Sequence, residues 1–316
     1  MSHEVETMAY ANEVPWHGLG ARVDGNISVD EMLKASGLDW EVKLLPTFAS
    51  DPSEPGRVIE LPRKALVRST DNRVLTVAGN GWKPLQNSDM LGFIRRYVEA
   101  GGATLETAGS LRDGKTVWAL ARLGHSFDVK PGDKVNGYLL ITSPHEVGRA
   151  ITCRTTTVRV VCANTMAMAE REGVINYTQN HLTEFDADSA HAVIQSAHEN
   201  LALAEKRART LDQLKISVED AVRKVLLPAI GAEELAEEAD IMGSDLMPKK
   251  IQQILGSLYN APGAEVGTGW GVLNSVTHWA DHVAGQNNAT RMQRAWLGDN
   301  SKLKTDVEER LLELAS

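Results

Sequence analysis

Ala103-Thr104-Leu105-Glu106-Thr107-Ala108-Gly109-Ser110-Leu111, a turn at Asp113-Gly114, and then Thr116-Val117-Trp118-Ala119-Leu120-Ala121-Arg122-Leu123 form the stretch that decides the fold. Two apolar-rich runs of strand length joined by Asp-Gly spell an antiparallel hairpin, because Gly accepts the left-handed backbone that a tight turn needs. The pattern continues through a Pro131-Gly132-Asp133 turn to Val135–Thr142 and on to Arg149–Val160. Four strands joined by tight turns predict an antiparallel meander.

Working outward toward the N-terminus, Ser28-Val29-Asp30-Glu31 has the spacing of a capping box and opens a short helix that stops at Gly37. Trp40–Phe48 and Val58–Val77 are β-branched and apolar, interrupted by Pro46, Pro62 and Thr70-Asp71-Asn72, which predicts a strand followed by a hairpin. Met90, Phe93, Ile94 and Tyr97 recur at helical spacing between an Asn87 or Ser88 cap and Gly101-Gly102. Beyond the meander, Cys162–Glu170 reads as a helix and Gly173–Tyr177 as extended. From Asp186 onward Ala, Glu, Leu and Arg dominate, predicting helices over Asp186–Leu214 and Val218–Leu227, after Pro248, after Gly271 and near the C-terminus. The expected fold class is therefore α+β: an antiparallel β-meander packed with helices on one side over residues 1–180, followed by a mainly helical domain over 181–316.

The chain has 316 residues and a formal net charge of −9, which weighs against a dedicated nucleic-acid binder. The charge is uneven. Up to Val174 there are 20 basic and 21 acidic residues, against 13 and 21 in the remainder, so the N-terminal part can still carry a basic face. Met1–Tyr10 lacks the apolar stretch of a secretory signal and no later run spans a bilayer, so a cytoplasmic protein without membrane contact is expected. Cys153 and Cys162, the two cysteines, then read as small core residues. Neither a phosphate-binding loop, a dinucleotide fingerprint, a nucleophile elbow nor a paired-cysteine zinc pattern occurs, so no cofactor is expected and enzymatic activity is the less favoured class.

Four blocks carry a family resemblance: Pro15-Trp16-His17-Gly18-Leu19-Gly20; Gly81-Trp82-Lys83-Pro84-Leu85-Gln86-Asn87; Arg154-Thr155-Thr156-Thr157-Val158-Arg159-Val160-Val161-Cys162-Ala163-Asn164-Thr165; and Gly267-Thr268-Gly269-Trp270-Gly271. In this order they resemble the phage/plasmid-like family of domain of unknown function 932. That resemblance implies life on a phage, plasmid or integrated element and carries over no catalytic residue. The order of helix, meander and helix is also similar, at the level of architecture alone, to phage single-strand annealing proteins.

Candidate site residues follow from the chemistry of phosphate recognition. Arg149, Arg154 and Arg159, with the hydroxyls of Thr155, Thr156 and Thr157, suit phosphate oxygens, although alternation places Arg154 on the face opposite Arg149 and Arg159. Cross-strand salt bridges are the alternative use for these side chains. Arg57, Arg63, Lys64, Arg68 and Arg73 form a second cluster, opposed by Glu60 and Asp71. Trp82 or Trp118 can stack on bases beside it, or else sit in the core, which is the favoured reading for Trp118. Arg112 and Lys115 flank the Asp113-Gly114 turn and should be exposed.

His278 and His282, i and i+4 with Asp281 between them, can ligate one metal, but no Glu directly follows the first His as a zinc protease requires. The glycines of Gly267–Gly271 suggest a linker or a tight helix approach. His17 lacks an assignable partner, and a structural arm is the better reading for its segment. The expected function is ATP-independent binding of single-stranded DNA, extending to annealing, during replication or recombination of a mobile element. The expected partners are single-stranded DNA, further copies of the chain and a host or phage replication protein. The rivals are a protein-binding module acting on host or defence proteins and a metal-dependent hydrolase.

Overall fold

The structure is a computed structural model describing residues 4–15, 18–99, 102–129, 134–157, 174–192, 194–261, 264–284 and 299–316. Trp16, His17, Arg159, Cys162, the Pro131-Gly132-Asp133 turn and the helix expected over Cys162–Glu170 lie outside the described residues.

The meander forms as expected: β6 (Ala103–Leu111), β7 (Thr116–Asp128), β8 (Lys134–Pro144) and β9 (Ile151–Thr156) lie side by side. They belong to a seven-strand sheet ordered β10-β9-β8-β7-β6-β1-β2, in which β10 is Val174–Gln179, β1 is Val5–Tyr10 and β2 is Ala21–Arg22. The pairings of β1 with β6, β6 with β7, β8 with β9 and β9 with β10 are antiparallel, while the two-residue contact of β1 with β2 is parallel. β1 docks on β6 because Gly109 has no side chain: a Cβ there would run into the Thr7 carbonyl and the Trp118 ring.

Val117, Ala119, Ala121, Leu139, Ile141, Ile151 and Cys153 turn to one face, where they meet α1 (Val29–Ala35) and α2 (Asn87–Glu99) in the main core. The opposite face of these strands is buried as well, at Trp118, Leu120 and Leu140. Runs such as Val117–Ala121 are apolar at every position, so both faces demand cover. Trp118 is fully buried and its Nε1–H donates to Thr107 Oγ1 at 3.1 Å.

The capping box at Ser28 is formed: Ser28 Oγ accepts the Glu31 N–H at 3.3 Å and the Glu31 carboxylate accepts the Ser28 N–H at 3.1 Å. Gly37 follows at φ +67°, where the helix turns off.

A second, three-strand sheet is ordered β3-β4-β5, from β3 (Val42–Ser50), β4 (Val58–Arg68) and β5 (Val74–Gly79). The β3–β4 register slips at Pro46: Pro46 faces Lys64 but Thr47 faces Leu61, leaving Pro62 and Arg63 without partners on β3. A bulge is where a strand tolerates a residue with no N–H to give. β5 ends at Gly79 opposite Arg63, so residues 58–61 pair with β3 alone and the hairpin continues as a two-strand arm.

The chain divides into two compact units, Met1–Ser126 with Asn136–Leu201, and Phe127–Val135 with Ala202–Ser316. The second unit is mainly helical. The Lys249–Asn260 helix buries Ile251, Ile254 and Leu258, one face at helical spacing, and packs against the Gly269–His278 helix. Phe127 and Val129 cluster with Ala208, and Val135 and Trp270 pack against them. No helix among the described residues is long and apolar enough to cross a membrane.

Candidate nucleic-acid interface

The basic residues singled out in the sequence separate into buried, paired and open. Arg68 is buried and fully engaged. Its Nε and Nη2 grip both oxygens of Asp71 at 2.9 and 2.6 Å, its Nη1 donates to Glu6 at 2.7 Å, and its guanidinium lies 5.5 Å from the Trp40 ring centroid. The fork on Asp71 raises the Arg68 pKa and holds the Asp71 carboxyl well below the carboxylate range. Arg73 pairs with Asp113 at 2.9 Å, and Arg57 with Glu54 at 2.7 Å.

Arg112 pairs with Glu146 at 2.8 Å, and Arg149 stands 4.0 Å from the same carboxylate. Arg112 and Lys115 are half-buried, not exposed as expected, because the turn between them folds against the body and buries Gly114. On β9, Arg154, Thr155 and Thr156 are buried, and Thr157 just beyond it is exposed. Arg154 faces Leu140 across the ladder while Cys153 turns to the core; Arg149 precedes β9 and Arg159 lies outside the described residues.

What remains open is one face of the small sheet. Residues directly across a ladder share a face, so Leu45, Ala65 and Val77 form one row and Lys43, Val67 and Val74 the next. Arg63, opposite Gly79, ends the face. Lys43, Leu45, Arg63, Val74 and Val77 are exposed, Ala65 is half-buried, Val67 between Lys43 and Val74 is buried, and neither Asp nor Glu occupies these rows; Lys64, half-buried and opposite Pro46 and Ala78, turns to the other face. Among the described residues no carboxylate pairs with Lys43, Arg63 or Lys64. Lys43 lacked a signal in the sequence beyond its strand position, since only the register shows that it shares a face with Arg63.

The block Gly81–Asn87 proves to be a clasp. Gln86 brackets β3 by accepting the Val42 N–H at 2.9 Å and donating to the Val42 carbonyl at 3.1 Å. Asn87 Nδ2 donates to the Leu38 and Trp40 carbonyls at 3.0 and 3.1 Å. That leaves Asn87 Oδ1 to accept from His145 Nε2 at 3.4 Å, which sets the tautomer of that ring. Trp82 is buried and stacks on His181 with centroids 3.9 Å apart. Trp118 is buried, as favoured for it, and with Trp82 buried too neither tryptophan is available to stack on bases.

His145 is fully buried, edge-on to Trp40 at 5.5 Å. Burial pushes its pKa down to about 3, with the neighbouring His181 adding to the effect. Burial also lowers the His181 pKa, against the pull of the Lys83 and Pro144 carbonyls beside that ring. Ser143 Oγ, His145 Nδ1 and His181 Nε2 have no hydrogen-bond partner among the described residues. Among the described residues these buried imidazoles have no carboxylate to orient them.

A family model described as domain of unknown function (DUF932) matches residues 74–303, more than half of the chain. The chain belongs to this family. No curated protein and no solved structure matches it. Of the four blocks, Gly81–Asn87, Arg154–Thr165 and Gly267–Gly271 fall within the matched span.

In this DUF932 chain Gly267–Gly271 is a tight helix entry and not a linker. Gly267 sits at φ +95°, Thr268 Oγ1 accepts the Gly271 N–H at 3.0 Å, and a Cβ on Gly271 would strike the Glu265 backbone. His278 and His282 approach to 5.0 Å between ring centroids where the helix widens into a π-helical stretch, Trp279–Val283. His278 Nδ1 is engaged with Ser257 Oγ at 3.1 Å. The Asp281 side chain lies outside the described part of the chain, and no group of three metal-ligating side chains occurs among the described residues.

Proposed function

We propose that this DUF932 protein binds single-stranded DNA without ATP, in replication or recombination of a phage- or plasmid-like element, through the open face of β3, β4 and β5. The observation that supports this reading is the pair of exposed, unpaired cations, Lys43 and Arg63, on a sheet face free of carboxylates. In a chain of net charge −9, such a face is where a polyanion meets least repulsion. Phosphates would bind the cations and the sugars would lie on the aliphatic rows, leaving base edges free to pair. Arg63 belongs to the cluster expected from the sequence and Lys43 joins it, while Lys64 of that cluster alternates to the opposite face.

The test is fluorescence anisotropy of a labelled single strand of about 30 nucleotides, with a duplex control and a salt titration. Binding should prefer the single strand. A Lys43→Gln, Arg63→Gln double variant should lower the slope of log affinity against log salt by about 1.4, the loss of two phosphate contacts on a single strand. An unchanged slope would falsify the assignment of the face, and absence of binding at low salt would remove the DNA reading itself. The aliphatic character of the face favours one second reading, a protein-binding module. An affinity that ignores salt and requires a protein partner would select it.

A further inference from the structure

Ser143, His145 and His181 are 0%, 0% and 3% exposed, yet Ser143 Oγ, His145 Nδ1 and His181 Nε2 find no hydrogen-bond partner among the described residues. The three residues belong to one corner of the first unit. Ser143 turns to the core face with Ile141 at the end of β8, and His145 follows two residues on. The carbonyl of Pro144, between them, lies beside the His181 ring. His181 is in turn clamped to Lys83: its carbonyl accepts the Lys83 N–H at 2.6 Å, and its Nδ1 reaches the Lys83 carbonyl at 3.0 Å.

The known contacts fix what the remaining atoms can do. A carbonyl only accepts, so His181 Nδ1 carries the ring proton and Nε2 keeps a lone pair. Asn87 Oδ1 likewise takes the proton of His145 Nε2, which leaves a lone pair on His145 Nδ1. Two acceptors thus stand against one hydroxyl donor, and the two rings cannot bond to each other. Ser143 has a single proton, so at least one lone pair needs a donor from outside the chain. We propose that Ser143, His145 and His181 hold one internal water molecule, which donates to His145 Nδ1 and His181 Nε2 and accepts the Ser143 hydroxyl proton. Three such bonds are the usual complement of a buried water. A neutral ligand suits the corner better than a cation, since no group of three metal-ligating side chains occurs among the described residues and a buried charge without an anion loses its hydration uncompensated. The water would tie the Gly81–Asn87 clasp, through Lys83 and Asn87, to the ends of β8 and β10.

This inference stands apart from the DNA reading. Nuclear magnetic resonance of the full chain labelled at histidine tests it, with each ring assigned from His145→Gln and His181→Gln variants. Long-range nitrogen–proton correlations should show His145 protonated at Nε2 and His181 at Nδ1. Carbon-bound protons of both rings should show a cross-relaxation contact with water, of the sign given by a residence longer than a nanosecond. In Ser143→Ala that contact should persist, because the two lone pairs still take the water's protons. Absence of the contact in wild type, the opposite tautomer at either ring, or loss of the contact in Ser143→Ala, which would trace it to the hydroxyl, overturns the proposal. So does a stoichiometric metal in the purified protein that His181→Gln releases.

Discussion

At the scale of single residues, the groups that stand out are those the fold has taken from water. His145 is neutral in the folded chain because burial depresses its pKa to about 3. Unfolded, the imidazole titrates near ~6.5. Below that value the unfolded chain binds more protons, so the stabilisation is complete above about pH 6.5 and is lost as the pH falls toward 3. The loss should run at roughly 1.4 kcal/mol per pH unit. His181, also lowered, adds in the same direction. Asp71, held below the carboxylate range by Arg68, contributes stability that disappears only in stronger acid. Urea denaturation at pH 7, 6 and 5 should show wild-type stability declining and a His145→Gln variant responding less; a flat wild-type profile contradicts the account. Cys153 makes a second expectation. Burial pushes its thiol up to about 12, so maleimide labelling followed by peptide mass analysis should find Cys153 protected in the native chain and modified only after unfolding. The Cys153 burial was legible in its strand position. The histidines were not, since nothing local in Ser143-Pro144-His145 announces that Asn87 and Trp40 will enclose it.

At the scale of elements, local rules held where the determinants are close in sequence. The Ser28–Glu31 box, the Gly37 stop and the strands β6 to β9 needed only neighbours within a few residues. β1 escaped because its place depends on Gly109, about a hundred residues away, giving room to Thr7. The Gly267–Gly271 block shows the same limit. Its glycines signal close approach or freedom equally well, and only the Glu265 backbone lying against Gly271 decides for close approach. Replacing Gly271 with Ala should therefore destabilise the protein by about 2 kcal/mol or more, measured as a fall in the chemical denaturation midpoint. A Gly256→Ala change, where a Cβ meets open space inside a helix, should be neutral or stabilising and serves as control. Equal effects at both positions would argue for a generic helix response.

At the scale of the whole molecule, the proposed association with DNA releases counterions and should weaken steeply as salt rises, which binding isotherms over a salt series check; an affinity that ignores salt contradicts it. Sequence alone determined the α+β class, the meander and the helical C-terminal part, because strand alternation, turn chemistry and capping act over short spans of chain; the family followed from the resemblance carried by the four blocks. Tertiary structure decided which cations remain open. Arg68, Arg73 and Arg112 looked equivalent to Arg63 in the sequence, yet carboxylates distant along the chain, Glu6, Asp113 and Glu146, claim them. Charge pairing follows proximity in space, and only the folded chain sets that.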